Sequence, residues 1–476
     1  MHFSIKVPGA KKSGIKEVFS PFNGTFVGDV ETVNKAGIEQ ALRNSDELYQ
    51  NRSCWLSAEQ RADILEDAAN LLGVHFEQLI SVAVAEGGKP YQDTEAELSR
   101  AIDGLKSCRD CIRSQPGSVI PMQVNSVSMH RLAFTQNEPI GPVVAVSAFN
   151  HPINLIVHQI GPAIAAGCPV IIKPAEKTPL SAFLLVNILR EAGLPDAWCQ
   201  PLLTDDLAIA EALVTDPRVA FFSFIGSAKV GWNLRSKLAP GTRCALEHGG
   251  SAPVIVAQDA DLDAMLPLLA KGGFYHAGQV CVSVQRIYAH RSIARQLAKR
   301  LAKLAGSLIV GDPGDIATDI GPLIGAQEVD RVAQWVCDAK AEGAEILAGG
   351  KIISESLFTP TVLFNPAESS KVSVEEIFGP VVCVYEYDEL DEAIARANAL
   401  PYAFQAAVMT RSIDNALYAF RNLQASAVMI NDHTAFRVDW MPFAGLKESG
   451  YGTGGIPYTY RDMQIEKMAV FHAPTL

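Results

Sequence analysis

The sequence predicts an α/β protein with two domains, each built on a parallel sheet. Three observations lead there. From Gly141 onward, short apolar strands alternate with helical stretches, the signature of a parallel sheet covered on both faces. The same alternation restarts after Ser251. The chain is 476 residues long, more than one hydrophobic core accommodates.

The N-terminal part reads differently. Asn23-Gly24, set among alternating apolar positions over 20–31, predicts a small hairpin. Leu65, Ala68, Leu72, Phe76, Leu79 and Val82 recur at helical spacing and predict one helix from Ser57 to Glu86. A second long helix is expected from Thr94 to Arg113. It contains Cys108-Arg-Asp-Cys111, but no further Cys or His pair follows at zinc spacing, so these are read as two helix cysteines and no metal site is expected. Met122–Asn137 alternates between prolines and is read as a two-stranded excursion from the main domain, to which Glu466–His472 returns at the end of the chain.

The first α/β run has strands at Pro142–Phe149, Pro169–Lys173, Trp198–Leu203 and Val219–Ile225. Helices follow at Ile153–Ala166, Leu180–Ala192, Asp206–Val214 and after Gly226. The second run has strands at Pro253–Ala257, Arg286–His290, Pro380–Glu386, Gln405–Met409 and Ala427–Ile430. Its helices are read at 261–275, Ile293–Ala305, Leu390–Ala399 and Ile413–Leu423. Sheets of this kind bind nucleotides at the carboxyl ends of their strands.

Composition excludes several classes. Hydrophobic residues make up 48% and charged residues 19%, too apolar for a disordered chain. The formal net charge of −12, without a basic block, argues against nucleic acid or an anionic membrane as partner. No apolar stretch reaches a bilayer-spanning length, and Met1–Ser20 lacks the apolar core of a signal peptide. Nine cysteines at irregular spacing do not form a disulfide framework, and a cytoplasmic location is expected.

Three groups make a chemical set: the thiol of Cys281 in Gly278-Gln-Val-Cys281, the carboxylate of Glu247 in Leu246-Glu-His-Gly-Gly250, and the amide of Asn150 in Ala148-Phe-Asn150. A nucleophile, a group able to activate water and an oxyanion donor suit covalent catalysis at a carbonyl. The turn Gly226-Ser-Ala-Lys-Val-Gly231 joins a strand to a helix, where amides and the helix dipole suit a phosphate. Gly450-Tyr-Gly-Thr-Gly-Gly455 matches G-x-G-x-x-G formally, but no strand-to-helix turn surrounds it and Pro457 follows, so it is read as a decoy.

Taken with Lys173-Pro-Ala-Glu-Lys-Thr-Pro179, Phe224–Gly231, Glu375-Glu-Ile-Phe-Gly-Pro380 and Pro442-Phe-Ala-Gly-Leu-Lys-Glu-Ser-Gly450, these motifs resemble, in order and over nearly the full length, the aldehyde dehydrogenase superfamily. The resemblance implies an NAD-binding domain of Rossmann type over 1–121 and 142–247 and a catalytic domain over 248–430. It also implies a bridging arm over 122–141 and 455–476 that assembles a homodimer or homotetramer. It implies that Cys281 attacks an aldehyde, that Asn150 and the Cys281 amide hold the oxyanion, and that Glu247 activates water to release a free acid. Lys173 and Glu176 match positions at the adenosine ribose, and a carboxylate there favours NAD over NADP. Phe149, Gly226, Ser227, Val230 and Gly231 match the pyrophosphate and nicotinamide surroundings, and Glu376 and Phe378 the nicotinamide ribose. The chain departs from the common pattern at His151, His248 and Ser251, and in the segment Leu203–Ala208, which lacks glycines that many relatives carry.

For the substrate, Arg100, His158 and Arg437 are three basic side chains that suit an anionic or polar small aldehyde. Asp432-His-Thr-Ala-Phe-Arg-Val-Asp-Trp440 looks most like the branch that handles phosphonoacetaldehyde, lactaldehyde and glyceraldehyde phosphate. That branch tends to place an arginine before the cysteine, where Val280 stands here. Two other chemistries use part of the same set: acyl transfer to coenzyme A, which has no need of Glu247, and thiol ester hydrolysis without redox chemistry.

Overall fold

A computed structural model describes residues 1–114, 117–204 and 206–476, with the backbone alone at Leu207. Two sheets dominate. The first has six strands, in the order Gly450–Tyr451, Arg243–Glu247, Phe221–Ile225, Val143–Val146, Val170–Lys173, Cys199–Pro201. All pairs are parallel except the edge pair, where Glu247 stands opposite Gly450 in antiparallel register. The second has seven strands, in the order Glu345–Ala348, Thr361–Phe364, Val381–Tyr387, Val284–His290, Ala252–Val256, Gln405–Met409, Ala427–Ile430, parallel apart from the first. The strands expected in both runs are present. Glu345–Ala348, Thr361–Phe364, the helix Ala326–Ala341 and the strand Arg243–Glu247 were not anticipated.

The strands read as continuous apolar runs because both faces are covered. Val254, Ile255, Val284, Ile287, Val382 and Val384 have no exposed surface. The helix Asn154–Ala166 is buried along its whole length. Its sequence has no charged face, and its first two free amides, of Ile153 and Asn154, are accepted by Glu97 Oε1 at 2.8 and 2.9 Å. Glu97 in turn pairs with Lys89 Nζ at 2.8 Å, both side chains buried. That pair fixes the loop just before the helix, where Asn150 sits.

Two differences from the sequence reading have physical causes. The helix expected over Ser57–Glu86 is two, Ala58–Val74 and Phe76–Gly87, bent by 75° at His75. The apolar spacing runs through the bend in phase, so periodicity does not mark it. The Met122–Asn137 excursion holds one strand, Arg131–Pro139, paired with the short Val119–Ile120; between them Ser128 and Asn125 bond each other and nearby amides in a closed turn. Local side-chain bonds of this kind displace a ladder. The returning strand Gln464–His472 pairs antiparallel with Arg131–Pro139 along its length, His472 opposite Arg131. In keeping with its reading as a decoy, the Gly450–Gly455 stretch is no phosphate turn: Gly450-Tyr451 is an edge strand on Glu247. Of the Leu203–Ala208 segment, Asp205 lies outside the described residues.

Candidate active site

The carboxyl ends of the central strands of the six-stranded sheet face a cavity of about 420 Å³. Cys281, Glu247, Asn150, Arg100 and Arg437 all line it, as do Phe149, Gly226, Ser227, Val230, Glu376 and Phe378. Residues more than a hundred positions apart are thus brought to one wall.

Cys281 follows a left-handed stretch. His276 and Ala277 adopt φ of +47° and +53°, and Gly278 +70°. Backbone of this hand is costly for residues with a side chain and persists where its surroundings hold it. Here Asp93 accepts the His276 amide at 3.0 Å. Gln279 locks the turn: its side chain donates to Pro322 O at 3.2 Å and accepts from the Ile324 amide at 3.0 Å. Gly278 is required, since a Cβ there would lie 2.1 Å from Gly379 O. The Cys281 thiol is half-buried; burial pushes it up to about 12, Arg437 opposes this, and Glu247 and Glu376 add to it.

The Asn150 side chain is buried and donates to Gln279 O at 2.8 Å. Glu247 ends its strand with its carboxyl against the backbone of Gly454, where any Cβ would meet Oε1 at 2.0 Å. Burial raises the Glu247 carboxyl above its usual range, and Arg437 opposes the shift.

The positions expected to meet a cofactor divide into two groups. Glu376 accepts the Gly250 amide at 3.1 Å, and burial pushes its carboxyl up to about 7. Gly249 makes room for it, because a Cβ would stand 1.9 Å from Glu376 Oε1. Phe378, at φ +46°, packs edge-on to Phe149 with ring centres 5.9 Å apart. Lys173, Glu176 and Gly231 lie outside the cavity lining. Glu176 is held by Lys173 at 3.7 Å and by Lys16 at 3.3 Å. Gly231 is filled by the His248 ring, which a Cβ would meet at 1.9 Å. The Gly226 amide, read from the sequence as free for a phosphate, is donated to Glu247 O at 3.0 Å. That leaves the amides that open the helix Ala228–Arg235, which no helical carbonyl can accept. A nicotinamide dinucleotide fits this wall: strand ends, a helix start, a carboxylate seated on a glycine, and the buried Ser147 hydroxyl, which lines the cavity without a partner.

The three basic residues differ. Arg100 forks onto Asp439, Nη2 to Oδ1 at 2.6 Å and Nε to Oδ2 at 3.2 Å. His158, buried at 3% exposure, lies behind the cavity wall, which corrects its expected place against the substrate. It bridges Asp439 Oδ1 at 2.7 Å and Arg437 Nη2 at 3.2 Å. Arg437 stacks on Phe443, its guanidinium carbon 3.5 Å from the ring centre, and has no ion-pair partner among the described residues.

The model of the aldehyde dehydrogenase family matches residues 8–468. The chain belongs to that family. It is 37% identical to 3-sulfolactaldehyde dehydrogenase from Priestia megaterium, over 96% of this chain and 94% of that one. Aldehyde dehydrogenase 21 from Physcomitrella patens, solved with the reaction product succinate, superposes with a TM-score of 0.95 at 31% identity, covering 100% of this chain and 99% of the other. Glyceraldehyde-3-phosphate dehydrogenase from Methanocaldococcus jannaschii, solved with NADP, gives 0.91 at 32% identity, covering 97% and 100%.

This aldehyde dehydrogenase is therefore an oxidoreductase of small aldehydes with the family's α/β fold. Among the described residues no single helix is long and apolar enough to cross a membrane. Sequence reasoning overlooked Asp439, Phe443, Ser147 and Gln279. Asp439 was quoted within a motif but given no task, because its partners Arg100 and His158 are each about three hundred residues away and nothing local announces them.

Proposed function

We propose that this enzyme oxidises a small anionic or hydroxylated aldehyde to the free carboxylic acid, with NAD as acceptor. The observation that carries the reading is the convergence of Cys281, Asn150 and Glu247 on one cavity that also presents Arg437. The Cys281 thiol gives its proton to water, Arg437 favouring the thiolate, and the sulfur attacks the carbonyl carbon to form a thiohemiacetal. Asn150 has two amide hydrogens; Gln279 fixes one, and the other serves the developing oxyanion together with the Cys281 amide. A bound nicotinamide supplies the hydride acceptor. The Cys281 thioester left behind is cleaved by water that Glu247 deprotonates, releasing the acid and the thiolate.

Glu376 and the start of the helix Ala228–Arg235 would hold the cofactor. Glu176 favours NAD, because a carboxylate beside the ribose repels a 2′-phosphate, while Lys16 and Lys173 moderate that preference. Residues 1–121 and 142–247 form the cofactor domain in this reading, 248–430 the catalytic domain, and 122–141 with 455–476 the assembly arm. Exposed Leu132, Phe134, Met468, Val470 and Phe471 on that arm suit a homodimer or homotetramer. Nine unpaired cysteines suit a reducing, cytoplasmic setting.

Absorbance of NADH after adding NAD and short aldehydes, without coenzyme A, is the direct test. The expected result is steady NADH production and a free acid product. Strict dependence on coenzyme A, or ester hydrolysis without NAD reduction, would overturn the reading.

A further inference from the structure

The charge balance of the substrate end goes further than the family assignment. Two guanidinium groups line the cavity, Arg100 and Arg437, and they are not equivalent. Arg100 is joined to Asp439 by two parallel bonds of 3.2 and 2.6 Å, the fork geometry that matches guanidinium to carboxylate. Asp439 also accepts from Asn154 Nδ2 at 3.2 Å and meets His158 Nε2 at 2.7 Å. Its charge is therefore committed to Arg100 and to the wall behind it.

His158 carries the arrangement to Arg437. Arg437 can only donate, so its 3.2 Å contact with His158 Nδ1 requires a lone pair on that nitrogen. The proton then sits on Nε2 and is donated to Asp439. The ring is neutral and contributes no charge. Burial, with Arg437 beside it, pushes His158 down to about 4, so the tautomer persists at neutral pH. On its other side Arg437 lies on the face of Phe443. A ring face and a neutral nitrogen position a cation without cancelling it. The Nε of Arg437 is buried without a partner.

We propose that the substrate carries a single negative charge at the end away from the aldehyde, a carboxylate or sulfonate, received by Arg437. His158 is the positioning residue that orients this guanidinium, and Asp439 withdraws Arg100 from competition. The proposal rests on the preceding reading that Cys281 oxidises an aldehyde in this cavity. Two guanidiniums and one committed carboxylate leave one positive charge to be matched. Glu247, Glu328 and Glu376 line the same cavity, but none forms an ion pair with Arg437 among the described residues; Glu328 is paired with Arg331, and burial raises the carboxyls of Glu247 and Glu376. A dianionic phosphate would bring a second negative charge with no cation left to meet it, and a neutral aldehyde would leave Arg437 unmatched.

The test compares kcat/KM of the wild-type enzyme for succinic semialdehyde, sulfoacetaldehyde, glyceraldehyde 3-phosphate and propanal at one pH above neutrality. The expected order places one or both monoanions at least roughly tenfold above the phosphate and above propanal. Which monoanion leads tells carboxylate from sulfonate. Arg437→Gln should collapse the ratio of monoanion to propanal towards one, mainly through KM. His158→Leu should lower the same ratio by raising the monoanion KM with little change in kcat. His158→Asn, which returns an acceptor near the Nδ1 position, should restore part of it. Asp439→Asn should release Arg100 and move preference towards glyceraldehyde 3-phosphate.

Should these variants not fold, calorimetric titration of the wild-type enzyme with succinate and with inorganic phosphate decides the matter, tighter succinate being expected. A wild type that prefers the phosphate or propanal would overturn the inference. So would an Arg437→Gln variant that loses both aldehydes equally, or tighter binding of phosphate than of succinate. Failure to oxidise any of the four aldehydes would instead overturn the assignment of Cys281, leaving the titration to judge the charge preference.

Discussion

Asn150 gives one amide hydrogen to the carbonyl of Gln279 at 2.8 Å, and Gln279 is itself bolted to Pro322 and Ile324. The second amide hydrogen is thereby preorganised towards the cavity rather than merely available. Asn150→Ala should lower kcat by about 100- to 1000-fold, the usual cost of one oxyanion donor, with NAD affinity little changed. Stopped-flow NADH formation and a separate cofactor titration measure the two effects. Equal damage to both would mean that the side chain organises the loop instead.

Glu247 separates the two halves of the reaction. Glu247→Gln should leave the first-turnover burst of NADH and collapse the steady state, because only thioester hydrolysis uses the base. Absence of a burst would remove that role. The pH profile has a definite sign. The base acts when ionised, and burial holds its carboxyl above the usual range. Steady-state turnover in the wild type should therefore fall as pH drops through that raised value, and the residual rate of Glu247→Gln should lack this limb.

Much of this was legible in the sequence, and the limits are instructive. The alternation of apolar strands and helices gave both sheets, because a parallel strand buried on both faces cannot hide its composition. Cys281, Glu247 and Asn150 could be singled out because the motifs that hold them stand in order with others that resemble one family, and the structure brings all three to one cavity. The bend at His75 was invisible, since apolar periodicity is preserved across it. Strand Arg243–Glu247 was missed because Arg243 and Glu247 frame only three apolar residues. The contrast between Arg100 and Arg437 was not legible either. Both are arginines in plausible places, and only the three-dimensional position of Asp439 makes one neutralised and the other free.

Glu376 offers a test that does not depend on turnover. Gly249→Ala would drive a Cβ to 1.9 Å from Glu376 Oε1, so the carboxylate must leave its seat on the Gly250 amide. NAD affinity, followed by protein fluorescence, should weaken by roughly tenfold, the loss of about one charge-assisted hydrogen bond. In the wild type the ionised carboxylate is the better acceptor for ribose hydroxyls. Affinity should rise with pH through about 7, the value to which burial brings this group, and Glu376→Gln should abolish that rise. A flat wild-type profile would remove Glu376 from the cofactor.

Cofactor choice has two handles. Glu176→Ser should narrow the gap between NAD and NADP, mainly by improving NADP affinity. Lys16→Ala should widen it, because Lys16 lies 3.3 Å from Glu176 and offsets its charge. Glu176 is 39% exposed, so each change should be modest, about two- to fivefold. Dissociation constants for both dinucleotides measure it. An unchanged ratio in both variants would mean that Glu176 does not face the ribose.

The stretch from Arg437 to Gly454 supplies Arg437, the carboxylate that holds Arg100, the ring beneath Arg437 and the seat of Glu247, yet it follows the last parallel strand of either sheet. On the ribosome, every parallel strand is therefore made before the catalytic centre can exist. The same order makes this stretch a point of vulnerability. A single proteolytic cut between Trp440 and Gly454 should spare every parallel strand of both sheets while freeing the edge strand Gly450–Tyr451 and the seat of Glu247.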